Sequence, residues 1–189
     1  MRRQAKQRTA LWLALASFLV LPAQVFGGEI AEPDGYRMDQ YRAPVPATLK
    51  GAKVVTTEQA EALWRDKTAV FFDVMPHPPK PANLPAGTIW REKVRNDIPG
   101  SIWLANVGYG AIPEETARYF ADGLSAGTAG DKAHAVLFYC MTDCWMSWNA
   151  AKRAIEWGYK SVIWYPSGAD GWEEAGLPLE ENRPHGWNN

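Results

Sequence analysis

The chain has 189 residues, of which 47% are hydrophobic, and its 20 basic and 21 acidic side chains give a formal net charge of −1. This length suits one domain with its own hydrophobic core. The charge balance excludes binding to nucleic acid or an anionic membrane through overall positive charge. Two cysteines are too few for a disulfide-stapled scaffold, so burial of apolar side chains must supply most of the stability.

The N-terminal segment has the three-part pattern of a secretory signal peptide. Basic residues precede an apolar run over residues 10–20, and Val25 and Gly27 suit cleavage before Gly28. An uncleaved membrane anchor is the alternative, but the run is short for a transmembrane helix. We therefore predict that residues 1–27 are removed on export. The remaining 162 residues carry 16 basic and 21 acidic side chains, a net charge of −5, and we expect them to bind neither membrane nor nucleic acid.

The first half of the mature chain predicts an arm, three strands, a helix and a long loop. Residues 28–52 are rich in Pro and Gly and predict an extended arm that packs along the domain surface. Thr56 and Gln59 form a capping box, which predicts a helix start. The other predicted elements are a strand at 53–55, a buried strand at Ala69–Val74, a proline-rich loop at 76–97 and a strand at Ile102–Val107.

The second half continues the alternation of strands and helices. Pro113 begins a helix, the apolar strand Ala133–Tyr139 runs into Cys140, and Ser147–Trp157 has helical spacing. A last strand at Ser161–Tyr165, a turn-rich segment at 168–178 and a tail at 181–189 follow. This order predicts one α/β domain over residues 53–180, with a mostly parallel sheet of about five strands between two helical layers.

The two cysteines carry the strongest chemical signal. Cys140 ends a central strand, where α/β sheets bind ligands, and a helix opens near Trp145. The positive end of that helix favours a thiolate, so we predict a lowered pKa and a reactive Cys140. A buried, inert cysteine is the alternative. Cys144 lies close enough for a local disulfide, on the predicted active-site loop formed by Met141, Thr142 and Asp143.

Motifs along residues 53–180 resemble those of a rhodanese domain. They are Phe72–Val74, Ile98–Ser101, Tyr139–Cys140, Ala150–Ala151, Gly158–Tyr159, Val162, Gly168–Trp172 and Ala175–Pro178. The segment from Cys140 to Trp145 also resembles the cysteine–cysteine–tryptophan (CxxCW) motif of a bacterial group associated with alcohol catabolism dependent on pyrroloquinoline quinone (PQQ). Gly35–Met38 and Asn83–Gly87 are similar to that group as well. The resemblance implies a rhodanese-like fold, a periplasmic location, and either a small sulfur- or thiol-containing substrate or a periplasmic redox partner.

The chain departs from sulfur-transferring rhodaneses at four positions. Those proteins surround a persulfide on the first cysteine with backbone amides, and an Arg or Lys five residues later binds the anionic donor. Here that position is Trp145, Met75 replaces an arginine, Asp97 replaces a histidine, and Asp143 would repel thiosulfate or phosphate. The resemblance therefore does not extend to standard sulfur transfer or to phosphatase chemistry.

Residues outside the loop have supporting interpretations. Asp73 ends a strand, and we expect its carboxylate to order nearby backbone. Arg91, Lys93 and Arg95 either replace the missing loop cation by reaching over the site or form a solvated charge cluster. His77, His134 and His185 are scattered, so no metal site is predicted, and no cofactor beyond a persulfide or disulfide on Cys140.

Two functions remain open at this point. In the first, Cys140 is the nucleophile and Cys144 the resolving thiol of a protein that performs sulfur transfer or thiol–disulfide exchange in support of PQQ-dependent alcohol oxidation. In the second, the chain is a non-catalytic binding or accessory module of the same periplasmic system, and its cysteine pair is structural.

Overall fold

A computed structural model of the chain describes residues 30–78, 80–89, 91 and 94–186. The predicted signal peptide, Lys93 and the last three residues of the tail lie outside the described residues. Within the described ranges, no helix is both long and apolar enough to cross a membrane.

Five strands form a parallel sheet at the centre of the domain. They are β1 (Ala52–Val54), β2 (Val70–Asp73), β4 (Ile102–Trp103), β5 (Val136–Tyr139) and β6 (Val162–Trp164), in the order β1–β6–β5–β2–β4. Each neighbouring pair is parallel. β5 is therefore the middle strand, and its four residues are all buried, as the apolar run at 133–139 predicts.

Helices cover both faces of this sheet. α2 (Glu114–Thr128) and α3 (Trp145–Glu156) pack on one face, where Phe120 and Ala151 join a core cluster with Phe138 of β5. α1 (Thr57–Arg65) and α4 (Gly168–Glu174) pack on the other face, where Ala60 and Trp172 join a second cluster. The predicted three-layer α/β fold with a parallel sheet of five strands is thus confirmed.

The sequence pattern predicts the start of α1 correctly but misses a strand at the end of the loop at 76–97. The capping box is formed as predicted: Thr56 caps α1, with both of its hydrogen bonds to Gln59 present. The predicted loop at 76–97 ends instead in a strand, β3 (Arg95–Asp97), which pairs antiparallel with β7 (Glu180–Asn182). A three-residue polar strand has no apolar alternation, and its partner lies far along the chain, so the pattern could not reveal it.

The closing segment differs from its prediction in a similar way. The Asp170–Gly171 pair, interpreted as a turn, lies within α4. Trp172 of the same helix is fully buried, as the predicted core anchor. The predicted strand Ile102–Val107 shortens to the two residues of β4, because the chain turns after Trp103 towards α2.

The described part of the arm packs against the domain and reaches the start of α3. The Tyr41 carbonyl accepts a hydrogen bond from the Trp145 amide at 2.9 Å. The indole Nε1 atoms of Trp145 and Trp148 donate to the carbonyls of Pro44 at 3.1 Å and Thr48 at 3.2 Å. The arm therefore holds the helix that follows the cysteine loop.

Replacing Trp172 with alanine should lower the free energy of unfolding by about 3–5 kcal/mol, because it empties a large site in the second core cluster. Met38 is exposed, so the control substitution Met38→Ala should change the free energy of unfolding by less than about 0.5 kcal/mol. Urea unfolding followed by circular dichroism measures both. Equal effects of the two substitutions would contradict the packing of α4 against the sheet.

Candidate thiol site

The two cysteines lie at the carboxyl edge of the sheet. Cys140 directly follows β5, and Cys144 is the N-cap of α3. Both are free thiols and both are buried, with exposed fractions of 0% for Cys140 and 2% for Cys144. The structure thus brings the predicted pair together at the edge where parallel sheets present their functional groups.

An ion pair beneath the loop ties three chain segments together. Arg95 Nε donates to Asp73 Oδ2 at 2.6 Å, and Arg95 Nη2 donates to the Cys140 carbonyl at 3.2 Å. The other oxygen of Asp73 accepts the Met75 amide at 2.8 Å. Burial raises the pKa of Asp73, and the charge of Arg95 opposes that rise. The pair connects the end of β2, the start of β3 and the cysteine loop.

The amides around the loop are already engaged by other groups of the protein. The Thr142 amide donates to Asp170 Oδ2 at 3.2 Å, and the Trp145 amide donates to the Tyr41 carbonyl. The amides of Met146 and Met141 donate hydrogen bonds to the Cys144 sulfur. An anionic substrate would have to displace these contacts before it could bind any of these four amides.

Gly168 packs closely against the backbone of Met141 and so helps to hold the cysteine loop in place. A Cβ atom at this position would lie 2.7 Å from Met141 Cα, and its φ of +54° is one that L side chains rarely adopt. The Ala169 amide then donates to the Cys140 carbonyl at 3.1 Å, and the Thr142 hydroxyl donates to the Ser167 carbonyl at 2.9 Å. The start of α4 therefore fixes the loop from the other face of the sheet.

A hydrogen bond between the two thiols shifts their pKa values in opposite directions. Burial raises the pKa of Cys140 well above its ordinary value, and its hydrogen bond to Cys144 adds to the rise. The same hydrogen bond lowers the pKa of Cys144, with help from the amides of Met146 and Met141 and from the charge of Arg42. The predicted lowering of the Cys140 pKa is therefore wrong: the helix N-terminus acts on Cys144, while Cys140 is the deeper donor.

The remaining predicted residues have distinct places. Trp145 is buried, stacks edge-on against Trp148, and carries the Arg37 guanidinium 5.2 Å from its ring centroid. It is thus a packing residue of the arm interface. Asp143 is exposed on the loop, with a φ of +53°. Arg91 is not at the thiols but lines a cavity beside them.

That cavity has a volume of about 190 Å³ and borders the residues that cover Cys140. Met75 is one of its walls, and the Met75 Sδ atom lies 3.5 Å from Cys140 Sγ. The cavity is mostly apolar, with a basic side, and its lining includes Met75, Pro76, Val94, Arg95, Trp103 and Met141. The flexible Met75 side chain therefore contacts Cys140 and also lines a ligand-sized space.

A second buried carboxylate lies in β3. Asp97 is fully buried; its Oδ2 accepts from Asn182 Nδ2 at 2.8 Å, but its Oδ1 has no partner within the described part of the chain. Burial raises the pKa of Asp97 to about 7. The carboxyl group joins β3 to β7 through Asn182.

The sequence interpretation missed three contacts of the thiol site. Met75 contacts Cys140, Asp170 holds the Thr142 amide, and the Tyr41 carbonyl holds the Trp145 amide. The helical spacing of α4 could have indicated Asp170, whereas a backbone carbonyl of an irregular arm leaves no sequence signal. Among the residues described, no group of three or more His, Cys, Asp or Glu side chains could hold a metal ion.

Comparison with known proteins finds similarity at the level of fold. No family model and no curated protein matches the chain. A thiosulfate sulfurtransferase from Pseudomonas aeruginosa is 17% identical with a TM-score of 0.47, over 70% of this chain and 21% of its own. The chain thus spans about a fifth of that protein's length.

Two further solved structures cover most of both chains. A polysulfide-sulfur transferase homodimer from Wolinella succinogenes is 18% identical over 74% of this chain and 85% of its own, with a TM-score of 0.45. A Rhodopseudomonas palustris protein described as a possible tyrosine phosphatase is 22% identical over 72% and 99%, with the same TM-score. At these identities the likeness is too distant to assign an activity to this chain.

Replacing Cys140 with alanine should raise the pKa of Cys144, because the alanine removes the hydrogen bond that lowers it most. Cys140→Ser is the matched control, since its hydroxyl keeps a donor at that place and should preserve most of the lowering. Thiolate absorbance in the ultraviolet, followed against pH, measures each value. The same Cys144 pKa in both variants would contradict the shared proton.

Asp97 should make stability fall as pH rises from about 4 to about 7. Its folded-state pKa is raised from 3.8 to about 7, so the folded state holds a proton that the unfolded state has lost. Stability from this group is present below pH 3.8 and is lost as pH rises through 7. Asp97→Asn should flatten this part of the profile in urea unfolding. An unchanged slope in the variant would show that Asp97 ionises normally.

Proposed function

We propose that the chain is an exported rhodanese-like thiol protein whose Cys140–Cys144 pair performs thiol–disulfide exchange. The observation that supports this best is the hydrogen-bonded pair of free thiols at the carboxyl edge of β5, with one pKa raised and the other lowered. The lowered pKa favours a thiolate on Cys144, and this thiolate can take the proton of Cys140 as the Cys140 sulfur attacks a disulfide.

The exchange needs only the two protein thiols and a substrate disulfide. Cys140 Sγ attacks one sulfur of a disulfide while its proton passes to the Cys144 thiolate, and the first thiolate product leaves. The Cys144 sulfur then attacks Cys140 Sγ, a Cys140–Cys144 bond forms, and the Cys144 proton goes with the second product. The substrate disulfide is reduced to a thiol and a thiolate, and the protein dithiol is oxidised. A second dithiol protein of the same compartment would then reduce the Cys140–Cys144 disulfide and restore the two thiols.

Sulfur transfer is the variant of this function that the rhodanese resemblance favours. In that reaction Cys140 would carry the transferred sulfur as a persulfide, and Cys144 would release it by forming the same intramolecular disulfide. The engaged loop amides and the nearby carboxylates of Asp143 and Asp170 disfavour an inorganic sulfur anion as donor. Thiol–disulfide exchange therefore fits the described contacts better.

The compartment and the wider role rest on sequence. The segment from Cys140 to Trp145 resembles the CxxCW motif of the group associated with PQQ-dependent alcohol catabolism, and residues 1–27 have the pattern of a signal peptide. We place the protein in the periplasm on that basis. Its exchange reaction would maintain the thiols or disulfides of a quinone-dependent oxidation system.

An accessory module with a structural pair is the second candidate. The near-complete burial of both sulfurs is the observation that favours it, since inert cysteines are commonly buried. In that case both cysteines would stabilise the loop, and neither would react faster than an ordinary buried thiol.

Cys144→Ser should trap a mixed disulfide on Cys140 when the protein is treated with a small disulfide, because no resolving thiol remains. Cys140→Ser should accumulate much less adduct, because the cavity-lining Met75 contacts the sulfur of Cys140. Intact-mass spectrometry measures the adducts, and melting temperatures provide the structural control. Adduct mainly on Cys144 would reverse the two roles. No adduct on either, with equal losses of stability, would favour the structural module.

A further inference from the structure

We propose that the cavity beside Cys140 binds the apolar organic part of a disulfide substrate, so that the thiol pair selects organic disulfides over inorganic sulfur oxyanions. This inference rests on the proposed exchange function and adds the substrate class and the residues that select it. Three sets of contacts carry it: the walls of the cavity, the position of Met75, and the engaged amides of the loop.

The cavity walls suit a carbon-borne ligand. Met75, Met141 and Trp103 provide sulfur and aromatic surface, and Pro76 and Val94 extend it. Thioether and aromatic groups are soft and polarizable, and they contact apolar rings and sulfur atoms favourably. The volume of about 190 Å³ is enough for one small ring or a short branched chain. Its mostly apolar walls disfavour a hydrated dianion, which would lose its water there.

The basic side of the cavity does not make it an anion site. Arg95 is already bound to Asp73 Oδ2 at 2.6 Å, and it also donates to the Cys140 carbonyl. Its charge is therefore compensated inside the protein. Arg91 lines the outer part of the cavity, where it can accept a single carboxylate substituent on an otherwise apolar ligand.

Met75 connects the cavity to the reacting sulfur. Its Sδ atom lies 3.5 Å from Cys140 Sγ, and the same side chain lines the cavity. Methionine is unbranched and has three rotatable side-chain bonds, so it can move aside at small cost. A disulfide seated in the cavity would then present its nearer sulfur to Cys140. Met75 is in this account a gate and a specificity residue.

The loop supplies the other half of the selection. In a cradle for sulfur oxyanions, free amides surround the transferred group. Here the Thr142 amide binds the Asp170 carboxylate at 3.2 Å, and the Trp145 amide binds the Tyr41 carbonyl at 2.9 Å. The carboxylate of Asp170 thus occupies a place that an anionic donor would need. The sulfur atoms of an organic disulfide are neutral, so they do not need free amides to bind.

The test compares two neutral disulfides, aromatic dithiodipyridine and hydrophilic hydroxyethyl disulfide. Each rate of pair oxidation is divided by the rate of the same disulfide with glutathione, which removes intrinsic reactivity. Val94 lines the cavity and is 57% exposed, so Val94→Asn should fold. Ile89 is 82% exposed and does not line it, so Ile89→Asn is the matched control.

The normalised rate with dithiodipyridine should exceed that with hydroxyethyl disulfide. Val94→Asn should lower the aromatic rate by roughly fivefold, as expected from loss of part of a valine contact, and should lower the hydrophilic rate by less. Ile89→Asn should change neither. Equal normalised rates with both disulfides, or equal effects of the two variants, would overturn the cavity as the selecting site while leaving the exchange function intact.

A second measurement separates this inference from the proposed function. Pyridylmethyl phenyl sulfide is a thioether analogue that cannot exchange, and calorimetry reports its binding to the unmodified protein and to Val94→Asn. Binding that Val94→Asn weakens supports the cavity even if no disulfide reacts. A pair that reacts with both disulfides, combined with no thioether binding, would retain the exchange function and reject the cavity as its substrate site.

Discussion

The ion pair between Arg95 and Asp73 positions the thiol site. Asp73 is fully buried at the end of β2, and Arg95 lies at the start of β3, a strand joined to the domain by its pairing with β7. Through Arg95 the pair reaches the Cys140 carbonyl, and through Asp73 it reaches the Met75 amide. Removing one partner would leave a buried charge without compensation, which costs several kcal/mol. The ion pair therefore contacts both the cysteine loop and the backbone of the methionine that covers it, while the start of α4 holds the loop from the other face of the sheet.

Above that ion pair, burial and hydrogen bonding divide the chemistry between two sulfurs. Cys140 is the deeper thiol, and its raised pKa makes it a poor thiolate by itself. Cys144 lies at the N-terminus of α3, where backbone amides and the donated Cys140 proton stabilise its negative charge. The lowered pKa favours a thiolate on Cys144, and such a thiolate would accept the Cys140 proton as that sulfur reacts. A shared proton therefore explains how a fully buried cysteine could still act as a nucleophile.

The fold was predictable from the sequence because its strands are continuous apolar runs and α1 begins with a capping box. The position of Cys140 at the end of β5 was predictable for the same reason, since an apolar strand ends where the cysteine begins. The pKa order of the two thiols was not, because it depends on which sulfur receives the amides of Met141 and Met146. β3 and the contact of Met75 with Cys140 were also missed, because both arise from segments distant in sequence.

The reduction potential of the Cys140–Cys144 pair tests the account most directly. The protein is equilibrated in glutathione buffers of graded potential, and the fractions of dithiol and disulfide are read by mass after acid quenching. An exchange pair should form one reversible intramolecular disulfide with a potential between about −120 and −270 mV, the range of thiol–disulfide oxidoreductases. A potential below about −300 mV, or two thiols that remain reduced in every buffer, would contradict the account.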